Sequence, residues 1–321
     1  MIPCPDAAQS LVCRGHVQTD LRLRDYTREA PPHVRAVVLI LFSTLCFTSM
    51  HTVIRYASTE GNIHPFEVAF FRNFFGLMTV LPFALRNKPA ALRTKRLKLH
   101  AARGTMQVFA MLMFFYALSI TPLAKVSAVS FTAPLFATLG AIIFLGERIR
   151  TRRIIALILG FTGAMIIIRP GLIAVDLGAI LVMASSASWA SAILIIKSLA
   201  RTESSLTITT YQNLFLIPFT LIAAWFFWTW PSLGLLGLFV VMGIFGSLAH
   251  LAFAEALKIA DATAVLPYDF VRLIWASAIG LFIFDEIPEI WTWVGGTIIF
   301  ASTTYIAFRE AYLKQERKTS L

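Results

Sequence analysis

Charge is what this sequence has least of. Lys, Arg, Asp and Glu make up only 14% of its 321 residues, against roughly one quarter in an ordinary soluble domain. Mean hydropathy is +0.75, and together these values exclude a soluble globular chain. Cysteine is scarce too: Cys4, Cys13 and Cys46 form no CxxC pair and no even framework, which gives no support to a disulfide scaffold or a thiolate metal site. HExxH, GxSxG, the P-loop and GxGxxG are all absent, so nothing points to an intramembrane enzyme, a cofactor or a metal. Acidic residues number 17 against 28 basic ones, a net charge of +11. In a soluble chain that surplus would point to nucleic acid, but here the basic residues fall between apolar runs, which is a membrane pattern with no nucleic-acid partner.

What is there is apolar: hydrophobic residues reach 58%. A bilayer core needs about 20 mostly apolar residues per helix. Ten such spans are predicted, over 36–57, 65–85, 102–119, 126–145, 153–168, 177–196, 206–228, 233–257, 263–284 and 290–308. The fifth is short. Residues 1–35 mix Arg, Asp, Pro and Gln with no apolar period and read as a disordered cytosolic tail, and 309–321 read as a second cytosolic tail. Of the 28 basic residues, 23 fall on one set of flanks. The positive-inside rule then places both termini in the cytoplasm, which requires an even number of spans.

The chain also repeats itself. At an offset of 139, Gly104 meets Gly243, Ala117-Leu118 meets Ala256-Leu257, Phe131 meets Phe270 and Glu147 meets Glu286; at 140, Phe71-Arg72-Asn73 faces Tyr211-Gln212-Asn213. Two copies of five spans result, 36–169 and 177–308. Because five is odd, the second copy enters from the opposite side, the arrangement of alternating-access carriers with a midplane site. The fold class expected is all-α: a polytopic membrane protein of ten transmembrane helices in two inverted five-helix repeats.

A charge in mid-membrane costs about 2.5–3.5 kcal/mol by insertion scales, so each needs a partner or a cavity. The sharpest cluster is Pro267, Tyr268, Asp269, Arg272 and Trp275 in span nine. Asp269 and Arg272 share a helix face at i, i+3, and two roles stay open for them: a permanent bridge, or contact with substrate or coupling ion. Glu255 in span eight and Arg72 in span two follow, Arg72 being expected to pack inward against a carboxylate or a helix C-terminus. Lys125 is expected to snorkel to the headgroups. His51 and His250 fit either proton relays or helix-packing donors. Phe47, Tyr116, Trp189, Tyr268 and Trp275 could stack on a planar ligand. The Ala/Ser run 184–192 around Trp189, Gly160 with Gly163, and Gly295 with Gly296 read as packing surfaces.

Several blocks carry a resemblance: His64 to Arg72, Arg103-Gly104, Ser130 to Phe136 leading to Gly146-Glu147, and Asp261 to Tyr268. Over 36–308 the chain resembles the drug/metabolite transporter superfamily, EamA type, and within it the S-adenosylmethionine uptake group. The resemblance implies a basket of ten helices around a cavity lined by spans one, three, four, six, eight and nine. It also implies that the family's span-two arginine, span-four proline and terminal glutamate fall on Arg72, Pro134 and Glu147. Gln212 and Leu273 depart from this pattern in the second copy. The expected partners are the lipid bilayer and a small-molecule substrate, a metabolite or vitamin, with proton or exchange coupling, in a monomer or homodimer of the inner membrane. S-adenosylmethionine uptake leads. Riboflavin uptake, amino-acid or drug export, and a non-transporting receptor or assembly factor remain as alternatives.

Overall fold

Proline sets where several of these helices start and where two of them break. The computed structural model describes residues 31–86, 94–145, 151–169, 176–260 and 265–319, and every regular element among them is helical. Span one is Pro32–Thr59, beginning at a proline whose missing N–H is harmless in a first turn. It starts upstream of the expected residue 36. Spans two and three are Pro65–Arg86 and Leu97–Ile120, and spans five to eight are Thr151–Ile168, Leu177–Leu199, Ser205–Trp225 and Leu233–Ile259. Span ten, Ile290–Thr319, continues as helix past the expected end at 308. Residues 1–30 and Glu147 lie outside the described residues. Side chains of Asp176, Ser204 and Ser232 cap spans six, seven and eight by accepting from Ala179, Thr207 and Leu235 N–H, each satisfying a donor the helix leaves orphaned.

Spans four and nine are the exceptions. Span four is two helices, Leu123–Ser130 and Ala133–Leu145, and span nine is a 3-10 turn, Leu266–Phe270, running into a helix, Val271–Phe284. A proline ring clashes with the carbonyl four residues earlier, so Pro134 frees the Ser130 carbonyl, which the Ser186 hydroxyl reaches at 3.5 Å. The two breaks fall at the same place in the repeat, Phe131 and Phe270. Their prolines do not: Pro134 follows its phenylalanine and Pro267 precedes its own.

The helices pair as an internal two-fold requires. Span one packs on span eight and span three on span six, which are equivalent contacts, while spans two and seven, and spans five and ten, pack on each other. Spans five and ten touch backbone to backbone: a Cβ on Gly163 would stand 2.8 Å from the Gly295 carbonyl oxygen. Apolar side chains such as Val38, Phe83, Ile158 and Ile222 point outward, where lipid is their solvent and no backbone group is left to satisfy.

Candidate functional site

Inside the basket lies an open cavity of about 1020 Å³, counting its mouth and the open space in front of it. All six implied spans line it. Span two adds Arg72, and span ten adds Phe300 and Thr303. Its wall has two chemically different ends.

One end is aromatic. The Phe47 ring meets His250 edge-on with centroids 5.0 Å apart, and Trp189 lies 5.9 Å from His250 and 6.0 Å from Phe253. His51 sits 4.9 Å from Phe114. The other end is charged and sits where the two broken spans meet. Phe131 and Phe270 lie 5.3 Å apart, and Phe270 stacks on Phe300 at 4.3 Å. Arg272 Nη2 donates to Asp269 Oδ2 at 2.7 Å and to Ser130 Oγ at 3.4 Å. Its guanidinium stands over the Phe131 ring at 5.5 Å, a cation–π contact that fixes its plane.

Beside the cavity, the repeated triplets of spans two and seven meet each other. Arg72 Nη1 donates to Asn73 Oδ1 at 2.8 Å and Asn213 Oδ1 at 2.9 Å, and Nη2 donates to the Gly246 carbonyl at 3.2 Å. A Cβ at 246 would stand 2.8 Å from Arg72 Nε, so glycine is what lets span eight come this close. Arg103 repeats the theme, donating to the Ile208 carbonyl at 2.9 Å and to Gln212 Oε1. Neither arginine has a carboxylate within ion-pair distance among the described residues. The expected carboxylate or helix C-terminus at Arg72 is thus corrected: the amides of Asn73 and Asn213 and the mid-helix carbonyl of Gly246 accept its hydrogen bonds.

Of the eight residues singled out from sequence, Arg72, Trp189, Asp269 and Arg272 line the cavity, and Tyr116, Glu255, Tyr268 and Trp275 do not. Tyr116 sits among His64 and Phe66 toward the Thr59 end of the bundle. Glu255 accepts from the Ser205 hydroxyl at 2.6 Å. Tyr268 and Trp275 are 39% and 38% exposed. Tyr268 neighbours Asp269 in the 3-10 turn, where adjacent side chains diverge by a third of a circle. Sequence reasoning missed Gln107 and Ser130 on the wall and took the buried Arg103 for a flank. The available signal was that 103, 107, 111 and 114 recur on one face of span three.

Ion pairs close the Thr59 end. Arg55 pairs with Glu286 and donates to the carbonyls of Leu118 at 2.8 Å and Thr121 at 2.6 Å, while Glu286 Oε2 accepts from Leu123 N–H at 3.0 Å. Lys125 does not snorkel: its Nζ lies 2.6 Å from Asp176 Oδ2. Burial pushes the Asp176 carboxyl up, but hydrogen bonds from the Lys125 ammonium, Ala179 N–H and Thr121 outweigh it and hold the group below the usual carboxylate range. At the Pro32 end, Lys197 Nζ donates to the carbonyls of Leu257 and Ala260, both at 2.7 Å.

Known proteins share this architecture. The EamA-like transporter family matches residues 34–169 and 176–308. An S-adenosylmethionine uptake transporter of Rickettsia bellii is 32% identical over 270 residues, covering 84% of this chain and 92% of that one. A riboflavin transporter of Vibrio cholerae is 29% identical over 279 residues, covering 85% and 93%. A solved crystal structure of a protein matches the fold with a TM-score of 0.58 at 17% identity, covering 87% of this chain and 96% of that one. With its two inverted five-helix repeats and two matched units, the chain belongs to the EamA-like transporter family and is a membrane transporter.

Proposed function

We propose that this transporter takes up S-adenosylmethionine across the bacterial inner membrane by alternating access, as a carrier rather than an enzyme. The observation that carries the reading is the cavity itself, bounded by the broken halves of spans four and nine, which an inverted repeat can expose to either side by rocking one copy against the other. The relatives named for S-adenosylmethionine uptake support this substrate, and the aromatic and charged walls offer places for a nucleoside and for charge. Riboflavin is the second reading, favoured by the Phe47–Trp189–Phe253 cluster, on which a flat ring would stack, and by the relatives named riboflavin transporter.

Both termini lie in the cytoplasm in this reading, supported by the 23 of 28 basic residues on one set of flanks. The two repeats act as the moving units, 36–169 and 177–308, with coupling to protons or to exchange. The test is counterflow: purified protein in liposomes loaded with unlabelled S-adenosylmethionine should accumulate labelled S-adenosylmethionine from outside. Counterflow with riboflavin but not S-adenosylmethionine would overturn the substrate, and none with either, or with amino acids, would overturn the carrier reading.

A further inference from the structure

The charged end of the cavity is built unlike a permanent salt bridge. Arginine–carboxylate pairs frequently close as a fork on a fork, with two parallel N–H···O bonds. Here there is one, Arg272 Nη2 to Asp269 Oδ2, and the Asp269 carboxylate makes no other hydrogen bond among the described residues. Arg272 Nε is buried without a partner. The two side chains are 13% and 19% exposed, and both residues line the cavity. A carboxylate oxygen and part of a guanidinium are therefore left with bonding capacity beside the cavity, while Ser130 and the Phe131 face hold the guanidinium in place.

Unsatisfied groups of a different kind occur elsewhere on the wall. Gln107 Oε1 and His250 Nδ1 are each buried without a partner, and both residues line the cavity with Phe47 and Trp189. They offer an acceptor and a nitrogen that serves either way. A hydrocarbon ring would leave both unbonded. A heteroaromatic edge carrying ring nitrogens and an amino group would satisfy them.

Resting on the transport reading above, we infer that the cavity reads a two-part substrate. A flat heteroaromatic body lies at the Phe47–Trp189–His250 end, and a zwitterionic α-amino-acid head group docks on Asp269 and Arg272. The head group's ammonium takes the Asp269 carboxylate and its carboxylate takes the Arg272 guanidinium, so a one-bond ion pair is exchanged for two complementary ones. A neutral polyol chain has no charge to offer either residue and must compete with their mutual attraction, which grows in a site shielded from water. The charged end thus favours amino-acid nucleosides over flavins, whereas the aromatic end accepts both.

The experiment is a competition series in the same counterflow assay, with unlabelled compounds outside. S-adenosylhomocysteine keeps the head group and loses the sulfonium charge; decarboxylated S-adenosylmethionine keeps the ammonium and loses the carboxylate; 5′-methylthioadenosine keeps the ring alone. S-adenosylhomocysteine should compete nearly as well as S-adenosylmethionine. The other two should be weaker by about tenfold to a hundredfold, the worth of one charge-assisted hydrogen bond. In Arg272→Gln the gap between S-adenosylmethionine and its decarboxylated form should collapse, and if that variant does not fold, the wild-type series decides alone. Wild-type competition by decarboxylated S-adenosylmethionine or 5′-methylthioadenosine equal to that by S-adenosylmethionine overturns the head-group site and leaves S-adenosylmethionine transport standing. Counterflow of riboflavin alone overturns both.

Discussion

Lys197 repeats Arg55 across the internal two-fold. Arg55 donates to the carbonyls of Leu118 and Thr121 where span three ends, and Lys197 donates to those of Leu257 and Ala260 where span eight ends. Each acceptor of the second pair lies 139 residues after its counterpart. A cation thus caps the negative end of a helix dipole on both sides of the bundle, and on the Thr59 side the cation also pairs with Glu286.

If Arg55 and Glu286 act as one latch, removing either should remove most of the effect. Arg55→Gln and Glu286→Gln are each expected to slow counterflow, and the double variant to be no slower than the worse single one, a coupling of about 0.5–3 kcal/mol in a double-mutant cycle. Strictly additive losses would show that the two residues work separately.

Arg72 has a structural duty whatever it does for substrate. Three acceptors depend on it, from Asn73, Asn213 and Gly246, and each one left buried and unbonded costs about 1–3 kcal/mol. Arg72→Met should lower the melting temperature in detergent. Arg72→Lys should lower it as well, because an ammonium cannot span acceptors that a planar fork reaches. A Lys variant that melts like wild type would mean that charge alone is required there.

How much of this was legible in the sequence depends on which property is asked. Span existence follows from apolar length, and the repeat follows from identities such as Phe131 with Phe270; both need only local information. Which way a residue faces is another matter. These spans are apolar nearly all round, so no moment fixes their rotation, and packing against neighbours decides that Trp189 meets the cavity while Trp275 points outward. Arg103 was hidden for a related reason: a basic residue near a helix start reads as a flank until span seven is found covering it. The break in span four was half visible in Pro134, but whether a proline kinks a helix or divides it depends on what catches the freed carbonyl, here Ser186.

The Ala/Ser run of span six shows the same limit and gives a test. It reads as one packing surface, yet Ser185 is buried, with its hydroxyl 2.7 Å from the Ala110 carbonyl, while Ser191 is exposed. Ser185→Leu should overpack the contact with span three, at about 1–3 kcal/mol, and reduce folded yield. Ser191→Leu should be tolerated, since it adds an apolar side chain to a lipid-facing position. Equal effects in size-exclusion profiles of the two variants would contradict this orientation of span six.

The Asp269–Arg272 pair offers the sharpest separation of structure from transport. Asp269→Asn keeps the volume and an acceptor oxygen but removes the charge, leaving the Arg272 cation beside the cavity with only neutral partners, the new amide, Ser130 and the Phe131 ring. Breaking one member of a buried pair costs about 3–5 kcal/mol because the remaining charge is uncompensated; the residual exposure of 13% and 19% places this pair below that range. Adding Arg272→Gln removes the stranded charge, so the double variant should melt closer to wild type than Asp269→Asn does. If the pair serves only to join the halves of the site, transport returns together with stability. If it holds the substrate, the double variant is folded and inactive, and that is the outcome expected. Melting curves and counterflow on the same three proteins distinguish the two, and a stable, active double variant would remove Asp269 and Arg272 from the site.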